Sequence, residues 1–472
     1  MKNVLNYMIK PPDDDVKMNL AAFFFIISIF SLAGLGYTFW ANLKAQDFGS
    51  LRTYDNVTRT SMILLLVNTF FWSPRKFCEP AGTDKRVDVD YESEIRGTEV
   101  KRKKIQAGIA VIYTLLCLLL LASDRPIMRD RSNPLIGKQW YLNNDGDKDR
   151  ISDSDDAFPY LPMEAGIDIG YREMEEILDG VDLSREIIVA VIDSGVDFSH
   201  EDLQGLKWAP QTDIGNYHNS DYGIDFCLNE ADCASTDRIT NEASHGTKCA
   251  GIIAAGDNNK GIVGIAAKSN IKIMSLRILD INESDFSGQI DKLIEAIKFA
   301  EDNGAVLCNL SMGTEAYSEA LETVIKNSKM LFVVSAGNGG ARGKNIDKVP
   351  VYPAVFNFDN VITVANLNYN GDLYKTSNFG VESVDIAAPG ACIYSTNIGN
   401  TYSYSTGTSV AAPMVTGVAA LIFSIVKDVS AAEVRNILVD TAAKTEALTD
   451  FVESGGFLSG AKAIERALNW RQ

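Results

Sequence analysis

IIVAVIDSGVD, Ile187 to Asp197, is the stretch on which the fold turns. Its first six residues are β-branched or small and apolar, and Asp-Ser-Gly closes them. That reads as a short strand buried on both faces, the kind found in a parallel sheet. Similar runs follow at Ile271 to Leu276 (IKIMSL), Ala305 to Leu310 (AVLCNL), Met330 to Val334 (MLFVV) and Val361 to Val364 (VITV). Between them, Leu293 to Asp302 and Glu319 to Asn327 carry helical spacing, which suits crossover helices covering such a sheet. From about Asn133 onward the chain reads as α/β, with no internal repeat and no low-complexity linker.

The first 123 residues follow a different pattern, with three apolar stretches. Leu20 to Trp40 carries no charge over about twenty residues, the length at which a helix crosses a hydrocarbon core. Ala107 to Ala122 is slightly shorter and uncharged, with Gln106 and Ser123 placed to lie at the interface. Ser61 to Trp72 reaches full length only by including Asn56 to Thr60 with Arg59, so a re-entrant or interfacial helix is the alternative to a span there. The expected transmembrane helices are residues 20–40, 58–73 and 106–123. The loop 74–105 carries Arg75, Lys76, Lys85, Arg86 and Arg96, then Lys101-Arg102-Lys103-Lys104 against the next span. Lys and Arg beside a span resist translocation, which makes this loop cytoplasmic and everything after Ala122 extracytoplasmic. A cleaved signal peptide is disfavoured by the length of the first segment, by acidic Asp13 to Asp15 before it and by the apolar runs after it.

A formal net charge of −18 over 472 residues argues against a nucleic-acid partner, because phosphate binding needs a basic face. Seven cysteines are too few for a disulfide scaffold, and Cys117 lies in an apolar run. Cys227 and Cys233, in a polar loop, form either one bridge or two unpaired thiols.

Three separated segments each place a reactive side chain at the end of a strand or the start of a helix. VIDSGVD puts Asp193 where a carboxylate can orient an imidazole, although a turn aspartate is the commoner case for any single Asp. SHGTKCAGIIAAG puts His245 before a run of small residues that reads as a buried helix; the only other histidines are His200 and His218. GTSVAAPMVTGVAALI places Ser409 after a Gly-Thr turn, at the opening of an apolar helix whose amino-terminal dipole favours developing negative charge; a capping serine is the alternative.

Taken in order, VIDSGVD, HGT and GTSVAAP resemble the subtilisin-like serine proteases, or subtilases. The resemblance runs from about Asn133 to Leu468 and includes NLSMG at Asn309 to Gly313, SAGNGG at Ser335 to Gly340, YPA at Tyr352 to Ala354, SNFG at Ser377 to Gly380 and AAPG at Ala387 to Gly390. It implies a three-layer α/β domain with a mainly parallel sheet flanked by helices. It also implies a triad of Asp193, His245 and Ser409, with Asn338 as the oxyanion-hole side chain. Ser311, Met312 and Gly313 are then the segment that lines the primary specificity pocket and pairs with an extended protein or peptide substrate. Met414 stands where the family often has histidine, and Ser184-Arg185-Glu186 replaces a glycine-rich lead into the first strand; neither removes a catalytic group. Cys249, four residues after His245, is expected to be a buried structural thiol.

NPLIGKQWYLNN, Asn133 to Asn144, is similar to the start of the mature domain in several subtilase branches. Only about ten residues separate it from the last span, which leaves no room for the usual propeptide and implies direct anchoring. The chain thus divides into a membrane region at 1–123, a lead-in segment at 133–160 and a peptidase domain at 161–472. Within the lead-in, Asp145, Asp147, Asp149, Asp153 and Asp156 occupy positions 1, 3, 5, 9 and 12 of a calcium-type loop, with the Ile151 carbonyl at 7. Arg150 replaces the turn glycine and Asp156 the bidentate glutamate, and an acidic solvated linker is the alternative. By resemblance, Asp202 and Asn258 match positions that hold a structural calcium. Glu283 and Asp285 sit in INESDFSG, Ile281 to Gly288, where the resemblance places substrate subsites; a solvent-facing acidic loop is the alternative. A silent peptide-gripping module is the rival class to an enzyme, and the intact Asp193, His245, Ser409 and Asn338 speak against it. Nothing in the sequence fixes the oligomeric state.

Overall fold

The computed structural model describes residues 133–151, 161–210, 214–215, 217–226, 243–278 and 289–470. The expected spans and basic loop within 1–123, Asp153, Asp156, the Cys227 and Cys233 pair and the 281–288 loop lie outside the described residues. In chain order the described elements are α1 (Tyr171–Ile177), β1 (Ile187–Asp193), β2 (His218–Ser220), β3 (Gly223–Asp225), α2 (Ser244–Ala254), β4 (Ile271–Arg277), α3 (Ile290–Asp302), β5 (Leu307–Leu310), α4 (Glu319–Asn327) and β6 (Leu331–Ser335). They continue with β7 (Val361–Leu367), β8 (Ile386–Pro389), β9 (Ile393–Asn397), β10 (Thr401–Ser405), α5 (Thr408–Ile425), α6 (Ala431–Asp440), β11 (Ala443–Lys444), β12 (Gly456–Phe457) and α7 (Gly460–Leu468).

One sheet runs β11-β12-β8-β7-β6-β5-β1-β4-β3-β2, and β9 with β10 forms a separate hairpin. Pairing is parallel from β12 through to β3 and antiparallel only at the two edges. Strand alternation sends Val189 and Val191 to one face, with α1, α2, α5, α6 and α7, and Ala190 and Ile192 to the other, with α3 and α4. The result is the expected helix, sheet and helix in three layers. α3 shows why its sequence makes a crossover: Leu293, Ala296, Ile297 and Ala300 form one buried stripe at helical spacing. α5 is apolar all round because it is buried all round. It is the one described helix long and apolar enough to cross a membrane, and 89% of it lies inside the domain.

The edges of the expected elements moved by one to three residues, for local reasons. Ala305 belongs to the turn out of α3, its N–H bonding Ala300 O at 2.9 Å, so β5 begins at Leu307. β7 runs on to Leu367 because Val364 to Leu367 pair with Ile386 to Pro389. The described part of the lead-in packs inside the domain rather than ahead of it. Trp140 and Tyr141 are fully buried, Trp140 Nε1 donates to Ala391 O at 2.9 Å, and Gln139 exchanges two hydrogen bonds with the Val263 backbone. A tryptophan indole and an amide side chain tie this segment to chain more than a hundred residues away.

β1 has β4 on one side and β5 on the other, so successive connections leave it in opposite directions. In a parallel sheet that reversal opens a crevice at the carboxyl ends of the strands. Asp193 ends β1, Ser311 to Gly313 follow β5, and Asn338 follows β6.

Candidate active site

Asp193 is fully buried at the end of its strand, and its carboxylate is spoken for. Oδ1 accepts the Ser194 N–H at 2.7 Å, and His245 Nδ1 lies 2.9 Å from Oδ1 and 2.8 Å from Oδ2. A carboxylate accepts only, so the proton between them sits on Nδ1 and the Nε2 lone pair is left for the cleft. The His245 side chain is 38% exposed, which gives that nitrogen access to substrate. The Asp193 charge pushes the His245 pKa above its ordinary value, and burial works against it. Ser194 Oγ also accepts the Gly246 N–H at 3.2 Å, locking strand β1 to the first turn of α2.

Ser409 is the second residue of α5, where backbone N–H groups have no helical acceptor. Asn338 is exposed, yet its amide is fixed: Oδ1 accepts the Thr408 N–H at 3.1 Å, which leaves Nδ2 as a donor. Thr408 Oγ1 in turn accepts the Gly337 N–H at 3.1 Å. A Cβ added at Gly407 would lie 3.3 Å from Asn338 Nδ2 and 3.4 Å from Ser409 Oγ, so both groups border one small space. The Ser409 N–H and Asn338 Nδ2 are thus two hydrogen-bond donors near that space.

Pro413 explains the underside of the serine. It has no N–H to give the carbonyl four residues earlier, which is that of Ser409. That oxygen instead accepts Ser311 Oγ at 2.8 Å and lies 3.5 Å from Cys249 Sγ. Asn309 Nδ2 donates to Ser311 Oγ at 3.0 Å, and Thr416 Oγ1 donates to Asn309 Oδ1 at 3.0 Å. The Ser311 hydroxyl is therefore turned toward the Ser409 backbone. Gly313 lies close against Val351 and Tyr352, and Thr314 bridges to Tyr352. Cys249 is buried, and burial and the Asp193 carboxylate push its thiol pKa well up, as suits a structural thiol. His200 is excluded as the base: Nδ1 accepts the Asp202 N–H at 3.1 Å and Nε2 donates to Thr401 O at 3.0 Å, so both nitrogens are used.

The two expected calcium positions differ. In the described part of the acidic loop, the Arg150 guanidinium forks on Asp145, Nε to Oδ1 at 3.1 Å and Nη2 to Oδ2 at 3.0 Å. Arg150 Nη1 also reaches Gly137 O at 3.1 Å. The loop's first carboxylate faces a cation of the chain's own, and Asp147 Oδ1 accepts the Asp149 N–H. In the described part of the loop, Asp145 is therefore held by Arg150. At Asp202 the outcome is the reverse. Its Oδ2 accepts the Ile262 N–H and Tyr402 hydroxyl, each at 2.9 Å, but its buried Oδ1 has no hydrogen-bond partner among the described residues. Asn133 Oδ1 is likewise buried without one, while its Nδ2 donates to Ile262 O at 3.1 Å and Gly256 O at 3.4 Å. Turning that amide over exchanges its oxygen and nitrogen. The Asn133 amide, the Gly256 and Ile262 carbonyls and the Asp202 carboxylate, all bonded to the Ile262 segment or its neighbour, are then oxygen ligands of the kind calcium takes. Asn258 borders this place, its Nδ2 on Glu201 O and its Oδ1 on the Lys260 N–H. Asn133 carried no sign of these contacts in the sequence, because its partners are 123 and 129 positions away.

The Subtilase family profile matches residues 184–457, more than half of the chain. The chain belongs to the subtilase family. Over 281 residues it is 34% identical to Thermitase of Thermoactinomyces vulgaris, covering 59% of this subtilase and 88% of that protein. It is also 34% identical over 270 residues to Subtilisin-like protease 2 of Plasmodium falciparum (isolate 3D7), covering 55% of this chain but only 19% of that much longer protein. Among solved structures it is similar to a chain from "Structural basis of subtilase cytotoxin SubAB assembly", with a TM-score of 0.51 and 25% identity over 64% of this subtilase and 95% of that chain.

Proposed function

We propose that this subtilase is a membrane-anchored serine endopeptidase that cleaves peptide bonds of protein substrates on the extracytoplasmic side. The observation that carries the reading is the His245 imidazole, held through Nδ1 by the buried Asp193 carboxylate at the carboxyl end of the sheet. In this reading Ser409 Oγ attacks the scissile carbonyl while His245 Nε2 takes its proton. The oxyanion receives the Ser409 N–H and Asn338 Nδ2, and His245 then returns the proton to the leaving amine. Asp193 fixes the tautomer and offsets the imidazolium charge. The main chain of Ser311, Met312 and Gly313 pairs with the extended substrate. Calcium, when bound by Asp202, Asn133 and the Gly256 and Ile262 carbonyls, supplies positive charge that ties the lead-in segment to the turn before β4, beside Asn258.

Anchoring is supported by the uncharged runs at 20–40 and 106–123, with 58–73 as a third span. Sidedness is supported by the basic loop 74–105. Labelling of the full chain by a fluorophosphonate probe, lost in Ser409→Ala, tests the chemistry; properly folded protein that takes no label would refute it. Accessibility labelling that finds Lys101 to Lys104 outside, or Cys227 inside, would refute the topology.

A further inference from the structure

Two neighbouring strands run out into segments that the proposed chemistry lays against the substrate, and one side chain borders both. β5 and β6 pair in parallel, Leu310 beside Val334, and lead on to Gly313 and Gly337. A Cβ on Gly313 would lie 2.9 Å from Val351 Cγ1, and one on Gly337 would lie 3.9 Å from the same methyl. Val351 itself is buried. Each of these segments is pinned by hydrogen bonds. The Thr314 N–H donates to Tyr352 O at 2.8 Å and the Tyr352 N–H to Thr314 O at 2.7 Å, which holds Gly313 against Val351. The Asn378 N–H donates to Gly337 O at 2.9 Å and Asn378 Nδ2 to Ala336 O at 2.8 Å, which holds Gly337 in place.

We propose that Val351 is a specificity-determining residue, one that limits the residue on the amino side of the scissile bond to alanine, serine or glycine. This rests on the serine peptidase reading above. In that reading the scissile carbonyl oxygen meets Asn338 Nδ2 while the substrate chain pairs with the main chain of Gly313. The residue that carries this carbonyl then lies between Gly313 and Gly337, because Gly337 directly precedes Asn338. Its side chain enters the gap that the Val351 methyl closes. Carbon atoms pack at about 3.5–4.0 Å, so a methyl or hydroxymethyl group is accommodated before Val351 is met. A leucine, phenylalanine or lysine side chain has to displace a buried residue between fixed walls, and overpacking of that kind is unfavourable.

The test uses the full chain with calcium present. Cleavage sites in a peptide library are read by mass spectrometry, and kcat/KM is measured on peptides that differ only in the residue before the cut. Wild-type protein is expected to cleave after Ala, Ser or Gly, with kcat/KM for Ala at least about tenfold above that for Leu or Phe. Val351→Ala removes the methyl and is expected to raise the Leu-to-Ala ratio by about tenfold or more. Val351→Ile lengthens the side chain and is expected to lower the Ala-to-Gly ratio by about tenfold. Each ratio compares two substrates on one protein sample, so partial unfolding cancels from it. Should one variant fail to fold, the other decides. Wild-type protein that cleaves after Leu or Phe as readily as after Ala overturns the proposal, and so does a folded variant that keeps the wild-type ratio. Wild-type protein that takes no fluorophosphonate label at Ser409 and cleaves nothing refutes the peptidase reading itself. Protein that labels and cleaves with the opposite preference refutes this inference alone.

Discussion

Gly251→Ala tests whether the packing of α2 sets the position of His245. Gly251 faces the β9 strand, and a Cβ there would lie 2.0 Å from Thr396 Oγ1, 2.9 Å from Ser395 Oγ and 3.0 Å from Thr396 Cβ. Both hydroxyls are tied to the same helix, Thr396 Oγ1 to Thr247 O and Ser395 Oγ to Lys248 O, each at 2.8 Å, so neither turns away freely. Below about 3.5 Å such contacts become repulsive, so about 1.5 Å must be found between helix and strand. If a third of it reaches His245, the 2.8 Å contact with Asp193 passes the hydrogen-bond range of about 3.2 Å. A misplacement of about 1 Å costs about a hundredfold in rate, so about half that shift should cost on the order of tenfold. The overpacking itself costs about 1–3 kcal/mol of stability. The assay is the rate of fluorophosphonate labelling of Ser409 beside a thermal melt, so that loss of activity in folded protein is told from unfolding. Thr396→Gly in the same chain removes two of the three clashing atoms and should recover much of the rate. Labelling of Gly251→Ala within about threefold of wild type would refute the reasoning, because the helix would then have moved without disturbing the pair.

Asn338→Leu should lower kcat on a peptide substrate by about 10²–10³ with KM little changed, because its Nδ2 acts only on the charge that develops in the transition state. His245 must be neutral to accept a proton, and Asp193 raises its pKa, so activity should fall as pH drops through a midpoint above the ordinary value of about 6.5. The same shift means that the pair's contribution to stability is present below that ordinary value and lost as pH rises through the folded one; Asp193→Asn should lower the activity midpoint. Chelation of calcium should lower the melting temperature, by an amount equivalent to about 2.7 kcal/mol when the free ion had stood at a hundred times its Kd, and Asp202→Asn should abolish the response. The acidic loop should contribute none of it until Arg150→Gly releases Asp145; a calcium response that survives Asp202→Asn and disappears in Asp145→Asn would reverse the two assignments.

The sequence by itself determined the α/β class, five of the parallel strands, the two crossover helices between them and the paired Asp193 and His245. The reason is local. A run such as IIVAVI can only be a doubly buried strand in this setting, and Asp193, His245 and Ser409 each sit in a short motif whose turn or helix start is written in its neighbours. What the sequence could not determine were contacts made by residues whose own surroundings are unremarkable. Ser311 stands in NLSMG like a pocket residue, yet its hydroxyl turns inward because Pro413, a hundred positions later, frees the Ser409 carbonyl. Asn133 and Asp202 both reach the Ile262 backbone only because the lead-in segment packs against the turn before β4. Asp145 has calcium-loop spacing, but whether its charge meets a metal or Arg150 depends on side-chain geometry that spacing does not encode. Asp225, in a three-residue strand, meets Arg277 because register places them side by side, and register is set when strands from distant parts of the chain come together in one sheet.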